Sequence, residues 1–285
     1  MTTTMAPTEF RTGQRTQWNT AASGWRKWSP LIDRGAGPIS ERLVELAGIE
    51  PGDRVLDVAT GYGEPALTAA RRVGPEGEVV ASDISAEMLA FGRERADEAG
   101  LGNVQFLESD AASLDFPTGS FDAALSRWGI IFDPEPEAAA ARIRGFLKPG
   151  ARLAIASWAT PDRAPMFGLT MGTLMHRLQI PPPPPGTPGP LARPTPEAIA
   201  ALLEGGGLSD VQVEEADVVF QYEEPAEFVT CIREIAPPVT ALLAQYPEEV
   251  QADGWAAITA AAREYAGGDV PFELRNTALL AVGRA

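Results

Sequence analysis

The sequence predicts an α/β protein built on a doubly wound, mostly parallel sheet. Three observations carry that expectation. The stretch from Arg54 to Ala66, Arg-Val-Leu-Asp-Val-Ala-Thr-Gly-Tyr-Gly-Glu-Pro-Ala, passes from an apolar strand through a tight glycine loop into a helix start. Short apolar runs at Glu78–Ser82, Val104–Glu108, Phe121–Ser126 and Ala151–Ser157 then alternate with helical stretches, as strands of a parallel sheet do. Asp83 ends the second run roughly twenty residues beyond the glycines, the spacing at which a carboxylate reaches ribose hydroxyls.

Taken in order, residues 1–13 are polar, lack periodicity and read as loose. Trp18, Trp25 and Trp28 follow, and a helix would put Trp18 and Trp25 on one face two turns apart. Such a face either anchors an N-terminal arm to the domain or serves as a lid over a ligand. Ile39, Leu43, Leu46 and Ala47 form the stripe of a first core helix, closed by Gly48 and Pro51. Val55, Leu56 and Val58 make the first strand, and Gly61 and Gly63 let the backbone pass close to a ligand. Pro65 suits a first helical turn. Asp57, at the end of the strand, would repel the pyrophosphate of a dinucleotide and attract a cationic ligand. Even so, Gly61-Tyr-Gly63-Glu-Pro-Ala66 also satisfies the dinucleotide fingerprint, so that reading stays open here.

Asp57, Gly61 and Gly63 resemble motif I of the class I S-adenosylmethionine-dependent methyltransferases, Asp-x-Gly-x-Gly-x-Gly, with Ala59 in place of the first glycine. The resemblance implies S-adenosyl-L-methionine as cofactor, with Asp83 on the ribose, Ile84 and Met88 against the adenine, and Asp110 and Ala111 at the adenine edge. It further implies that the region of Arg127 meets the methionine end, where the guanidinium would suit a carboxylate. Trp18 would lie on an arm folded across the cofactor. Phe146-Leu-Lys-Pro-Gly-Ala-Arg-Leu153 is similar to the family's Leu-x-Pro-Gly-Gly segment, with Ala151 for the second glycine. These matches run in order from about Arg54 to Trp158. They imply a seven-stranded Rossmann-like sheet of order 3-2-1-4-5-7-6 whose last strand is antiparallel, with helices on both faces.

Asp133 and Pro134 read as the cap and first turn of a helix running through Leu147. Beyond Trp158, Met166 to Leu178 reads as one apolar helix bearing His176. A stiff proline-rich connection follows from Pro181 to Pro196, then a helix capped by Thr195. Val211 to Phe220 and Phe272 to Val282 read as the last strands. Between them, residues 224–266 read as helices broken at Pro237-Pro238 and Pro247. The expected division is an N-terminal arm or lid at 1–35 and a methyltransferase domain at 36–285, with helical cap elements at 164–196 and 224–266.

Composition narrows the partners. The 285-residue chain carries a formal net charge of −16, which disfavours nucleic-acid phosphate and anionic membranes. Cys231 is the lone cysteine and His176 the lone histidine, so paired motifs for disulfides or zinc are absent, and no metal site is expected. The first residues lack a signal-peptide pattern and no apolar run is of membrane-spanning length, so the expectation is a soluble, cytoplasmic enzyme. Its expected reaction is methyl transfer from S-adenosylmethionine to a small, largely apolar molecule, as in the ubiquinone/menaquinone-biosynthesis type. Two alternatives stay open: a cyclisation or rearrangement on the same fold and cofactor, and an NAD(P)-dependent oxidoreductase. His176 is the candidate general base, if the acceptor must lose a proton.

Overall fold

The computed structural model describes residues 6–285. It opens with α1, Pro7–Leu46, a single 40-residue helix. Then follow β1 (Arg54–Val58), α2 (Ala66–Val73), β2 (Glu78–Asp83), α3 (Ala86–Glu98), β3 (Val104–Glu108) and β4 (Phe121–Arg127). Next come α4 (Pro136–Phe146), β5 (Leu147–Trp158), a short turn α5 (Pro165–Phe167), a π-helical turn at Gly168–Gly172 and α6 (Thr173–Leu178). The chain ends with α7 (Pro196–Gly205), β6 (Ser209–Tyr222), α8 (Pro225–Ile235), α9 (Pro237–Leu243), α10 (Glu248–Ala266) and β7 (Phe272–Arg284).

The strands form one sheet in the order β3-β2-β1-β4-β5-β7-β6. β1 to β5 are parallel, and β7 lies antiparallel to both neighbours, with Leu279 opposite Ser157. The order and the antiparallel last strand are those expected. In register, Asp57 sits between Ala81 of β2 and Leu125 of β4. The order reverses between β1 and β4, so the crevice past their carboxyl ends is where an open α/β sheet accepts a ligand.

Each face of the sheet carries its own core. Ile39 and Leu43 of α1, Ala66 and Ala70 of α2, and Met88 of α3 pack on one face. Ile143 of α4 and Ile199 and Leu202 of α7 pack on the other. Burying each such large side chain contributes about 1.5–3 kcal/mol, which is why apolar spacing alone marked these helices.

Several expectations need correction. Residues 7–13 are helical rather than loose, and the arm and the first core helix belong to the one helix α1; residues 1–5 lie outside the described part. The helix continues through Pro30 and Pro38. Pro30 has no N–H for the carbonyl of Arg26, and the Ser29 hydroxyl donates to that carbonyl instead, at 3.0 Å. Asp133-Pro134 does not start α4, which begins after Glu135. Asp133 instead accepts the Glu135 N–H (2.8 Å) and a bond from Arg11 (2.8 Å), holding the start of α1. The apolar helix at 166–178 is interrupted by the π turn. Phe228 and Ile232, within the expected cap segment 224–266, are core residues, Phe228 packing its ring on Tyr222.

Candidate functional site

The glycine loop takes its shape from backbone conformations that side chains resist. Gly61 and Gly63 have φ of 58° and 102°, and Ala59 has φ of 60°. A residue with a Cβ in that left-handed region costs about 1–2 kcal/mol, so Ala59 holds under strain the position where the family motif has glycine. Opposite it, Gly129 leaves no room: a Cβ there would lie 2.5 Å from that of Ala59. The turns after β1 and β4 are therefore in contact at the crevice.

Asp57 is fully buried at the end of β1. Its Oδ2 accepts the N–H of Ala66 at 2.9 Å, at the start of α2, whose N-terminus favours negative charge. Its Oδ1 and the hydroxyl of Thr60 each lack a well-formed hydrogen bond. Burial pushes the Asp57 carboxyl up to about 7, against the lowering effects of nearby Thr60 and the Arg127 charge. Asp83 accepts N–H bonds from Gly61 (2.7 Å) and Ser85 (2.8 Å), and burial raises it to about 6. A carboxylate has roughly four acceptor sites, so capacity remains for a diol hydroxyl. Ser85 caps α3, accepting from the Met88 N–H at 3.1 Å.

Helix α1 lies along the crevice. Arg15 donates to the Ile84 carbonyl (3.2 Å), Asn19 accepts from Ser85 (2.7 Å), and Gln14 donates to the Phe132 carbonyl (2.9 Å). Trp18 meets Phe132 edge to face, with ring centres 5.5 Å apart, and Trp25 at 6.3 Å. A cleft of about 270 Å³ remains at the Asp110 end, lined by Thr8, Arg11, Thr12, Arg15 and Ser113. Asp110 accepts the Ser113 N–H there at 2.8 Å, and Ala111 is buried beside it. Ile84 is half-buried and Met88 sits within the core.

Arg127 is engaged within the protein. Its guanidinium is buried and donates to the Ala36 carbonyl (3.2 Å), the Ser40 hydroxyl (2.8 Å) and the Tyr62 hydroxyl (3.2 Å). Tyr62 in turn donates to Asp33 (2.9 Å), which also binds Arg95 (2.6 Å). This chain of contacts ties the middle of α1 to the glycine loop. On the outer side, Trp25 donates to the Ile235 carbonyl at 3.0 Å, tying α1 to α8. His176 is exposed at the last turn of α6, and no side-chain hydrogen bond to it occurs among the described residues.

The structure thus gathers Asp57, Ala59, Gly61, Gly63 and Asp83 at the glycine loop, with Asp110 at the cleft beside the start of α1 and Trp18 further along that helix. Thr60, Asn19 and Trp128 were not singled out from the sequence. Thr60 lay inside the recognised motif, and Trp128 directly follows Arg127. The donor set suits S-adenosylmethionine: buried carboxylate and hydroxyl oxygens open to an ammonium, and a second carboxylate for a ribose. It suits a pyrophosphate poorly, because Asp57 stands buried at the loop.

Comparison with known proteins agrees. A methyltransferase-domain family model matches residues 55–150. Ubiquinone/menaquinone biosynthesis C-methyltransferase UbiE of Teredinibacter turnerae is 41% identical over 122 residues, 42% of this chain and 49% of the relative. The enzyme of the same name from Pseudomonas aeruginosa is 40% identical over 147 residues, 51% of this chain and 57% of the relative. The matches span about half the length of these relatives. Among solved structures, the YcgJ protein of Bacillus subtilis has a TM-score of 0.55 at 19% identity, covering 87% of this chain and 98% of that one. The [4+2]-cyclase SpnF has a TM-score of 0.52 at 22% identity, covering 91% and 93%. Haemonchus contortus phosphoethanolamine N-methyltransferase 2, solved with S-adenosyl-L-methionine, has 0.56 at 20% identity, covering 99% and 60%. At these identities the structures speak to the fold alone, which serves a cyclase as well as methyltransferases. The domain match falls on the glycine loop and the strands around it, so this part of the chain is similar to a methyltransferase domain and stands on a Rossmann-like sheet of order 3-2-1-4-5-7-6.

Proposed function

We propose that the chain transfers a methyl group from S-adenosylmethionine to a small, largely apolar molecule in the cytoplasm. The observation that carries this reading is the buried pair of Asp57 Oδ1 and Thr60 Oγ1 at the glycine loop, which face each other without a well-formed hydrogen bond and keep acceptor capacity for a cationic amino group. When bound, the sulfonium supplies an activated methyl group open to in-line displacement. The residues of the chain bind and orient: Asp57 and Thr60 hold the amino group, Asp83 the ribose, and Asp110 with Ala111 the adenine edge.

Helix α1 excludes water from the crevice, and no general base is required unless the acceptor must lose a proton. We assign residues 1–35 the role of lid, and 164–196 and 224–266 the role of cap over the acceptor. The direct bond from Trp25 of α1 to the Ile235 carbonyl of α8, at 3.0 Å, joins the two segments and supports that assignment. The chain's acidity and its aromatic wall at Trp128, Trp158 and Phe167 support a small acceptor without anionic groups, rather than a nucleic acid. No helix among the described residues is long and apolar enough to cross a membrane.

Calorimetry with S-adenosylhomocysteine and with NADH tests the cofactor. Micromolar binding of the first and none of the second is expected, and the reverse sinks the proposal. Transfer of labelled methyl from S-adenosylmethionine into a small-molecule cell extract tests the reaction. Binding without any incorporation would favour a non-methylating use of the cofactor.

A further inference from the structure

Among the described residues, three buried side-chain atoms lack hydrogen-bond partners: Asp57 Oδ1, Thr60 Oγ1 and Trp128 Nε1. All three residues lie at or past the carboxyl ends of the adjacent strands β1 and β4. Asp57 and Leu125 are register partners on β1 and β4, and Thr60 and Trp128 each lie three residues further on. The two turns touch where Gly129 meets Ala59. Two of the three atoms are oxygens able to accept, and the third, an indole N–H, can only donate. A ligand that satisfies all three must bring a donor and an acceptor close together. An α-amino acid group does so, with its ammonium and carboxylate on one carbon.

The residue expected to take the carboxylate was Arg127, whose guanidinium is committed to Ala36, Ser40 and Tyr62. Its neighbour is built to present a single donor. Trp128 has φ of 56°, a conformation that bulky residues adopt only when their surroundings impose it. Its N–H donates to the Ala156 carbonyl at 3.2 Å, which pins the turn. Its ring stacks on Trp158, with centres 4.2 Å apart and planes 6° from parallel, and Phe167 braces Trp158 edge-on. The Arg127 guanidinium carbon lies 5.3 Å from the Trp128 ring centre, so its charge favours an anion nearby without contacting it.

Building on the proposed cofactor, we infer that the Trp128 indole N–H receives the carboxylate of the methionine moiety, in place of an arginine. Asp57 and Thr60 take the ammonium of the same carbon. Trp128 is then a recognition residue for the cofactor's amino-acid end, and Arg127 supports it while fastening α1.

The test compares S-adenosylmethionine with its decarboxylated analogue, which keeps sulfonium, ammonium and nucleoside, by calorimetry on wild type and Trp128→Phe. The phenyl ring preserves stacking and removes the donor. Wild type is expected to bind S-adenosylmethionine at least tenfold more tightly than the analogue. Trp128→Phe is expected to lose about five- to tenfold for S-adenosylmethionine, the scale of one hydrogen bond to a charged group, and less than twofold for the analogue. An equal loss for both ligands would assign Trp128 to packing, and no loss would leave the N–H to another partner such as the acceptor; either overturns the inference. In wild-type protein with ¹⁵N-labelled tryptophan, the Trp128 indole proton should move downfield with S-adenosylmethionine and not with the analogue, which keeps the test open if the variant fails to fold. The same movement with both ligands refutes it. Wild type that binds neither ligand fails at the cofactor reading itself, a result visible before any variant is made.

Discussion

Asp83 Oδ2 accepts the N–H of Gly61 at 2.7 Å, so the carboxylate expected to hold the ribose also holds the glycine loop. One side chain, at the end of β2, thereby sets the spacing between the two halves of the cofactor site before any ligand arrives. Its other oxygen accepts from Ser85 at the cap of α3.

That double duty changes what substitution at Asp83 should do. Asp83→Ala removes a ligand contact and leaves two N–H groups without their acceptor. It should weaken S-adenosylhomocysteine binding by roughly 1.5–3 kcal/mol and lower unliganded stability by about 1–3 kcal/mol. Calorimetry and denaturant titration report the two separately. Full stability with lost affinity would mean that the loop does not depend on this carboxylate.

The pH dependence follows from Asp57. Its folded value of about 7 lies above the ordinary carboxylate value, because burial disfavours the charge. The folded, unliganded chain therefore keeps a proton that the unfolded chain gives up, and this group's contribution to stability declines as pH rises from about 4 through 7. A cationic ligand prefers the deprotonated form, so S-adenosylmethionine affinity should rise by up to about tenfold per pH unit below 7 and level off above it. Asp57→Asn should bind more weakly and flatten that profile. A wild-type affinity independent of pH between 5.5 and 8 contradicts the assignment.

Arg127 and Tyr62 join the glycine loop to α1. Arg127→Met should leave the Tyr62 and Ser40 hydroxyls and the Ala36 carbonyl without this donor, costing about 3 kcal/mol. Amide hydrogen exchange should quicken in the middle of α1 around Ala36 to Ser40. Unaltered protection there would show that α8 alone retains the helix.

The contact of Ala59 with Gly129 can be tested by a double-mutant cycle. Gly129→Ala should destabilise by about 1–3 kcal/mol through overpacking. Ala59→Gly removes the opposing methyl and the left-handed strain, so the pair should recover part of that loss. Recovery stays partial because the new Cβ also meets Ser126 Oγ at 2.7 Å and the Val58 carbonyl at 2.9 Å. Strict additivity in thermal unfolding would show that the two turns do not press on each other.

What the sequence determined by itself is local and periodic. Alternating apolar residues set β1 to β4, Gly61 and Gly63 set the loop, and Thr195 and Ser85 set helix caps, because each depends on neighbours a few residues away. Asp57 and Asp83 were legible for the same reason: they end strands, and strand ends in this sheet face the crevice. The breaks fell at Pro237 and Pro247 because proline suits a helix start: Pro237 opens α9 and Pro247 immediately precedes α10. Tertiary structure decided the rest. That α1 runs unbroken through Pro30 and Pro38 depends on packing against the sheet and α8, which outweighs the local cost of two prolines. That Arg127 fastens α1, and Trp128 is left with the free donor, depends on Ala36, Ser40 and Tyr62, distant in sequence and brought together only by folding. A guanidinium binds whichever acceptors the fold places within reach, and no spacing along the chain states which those are.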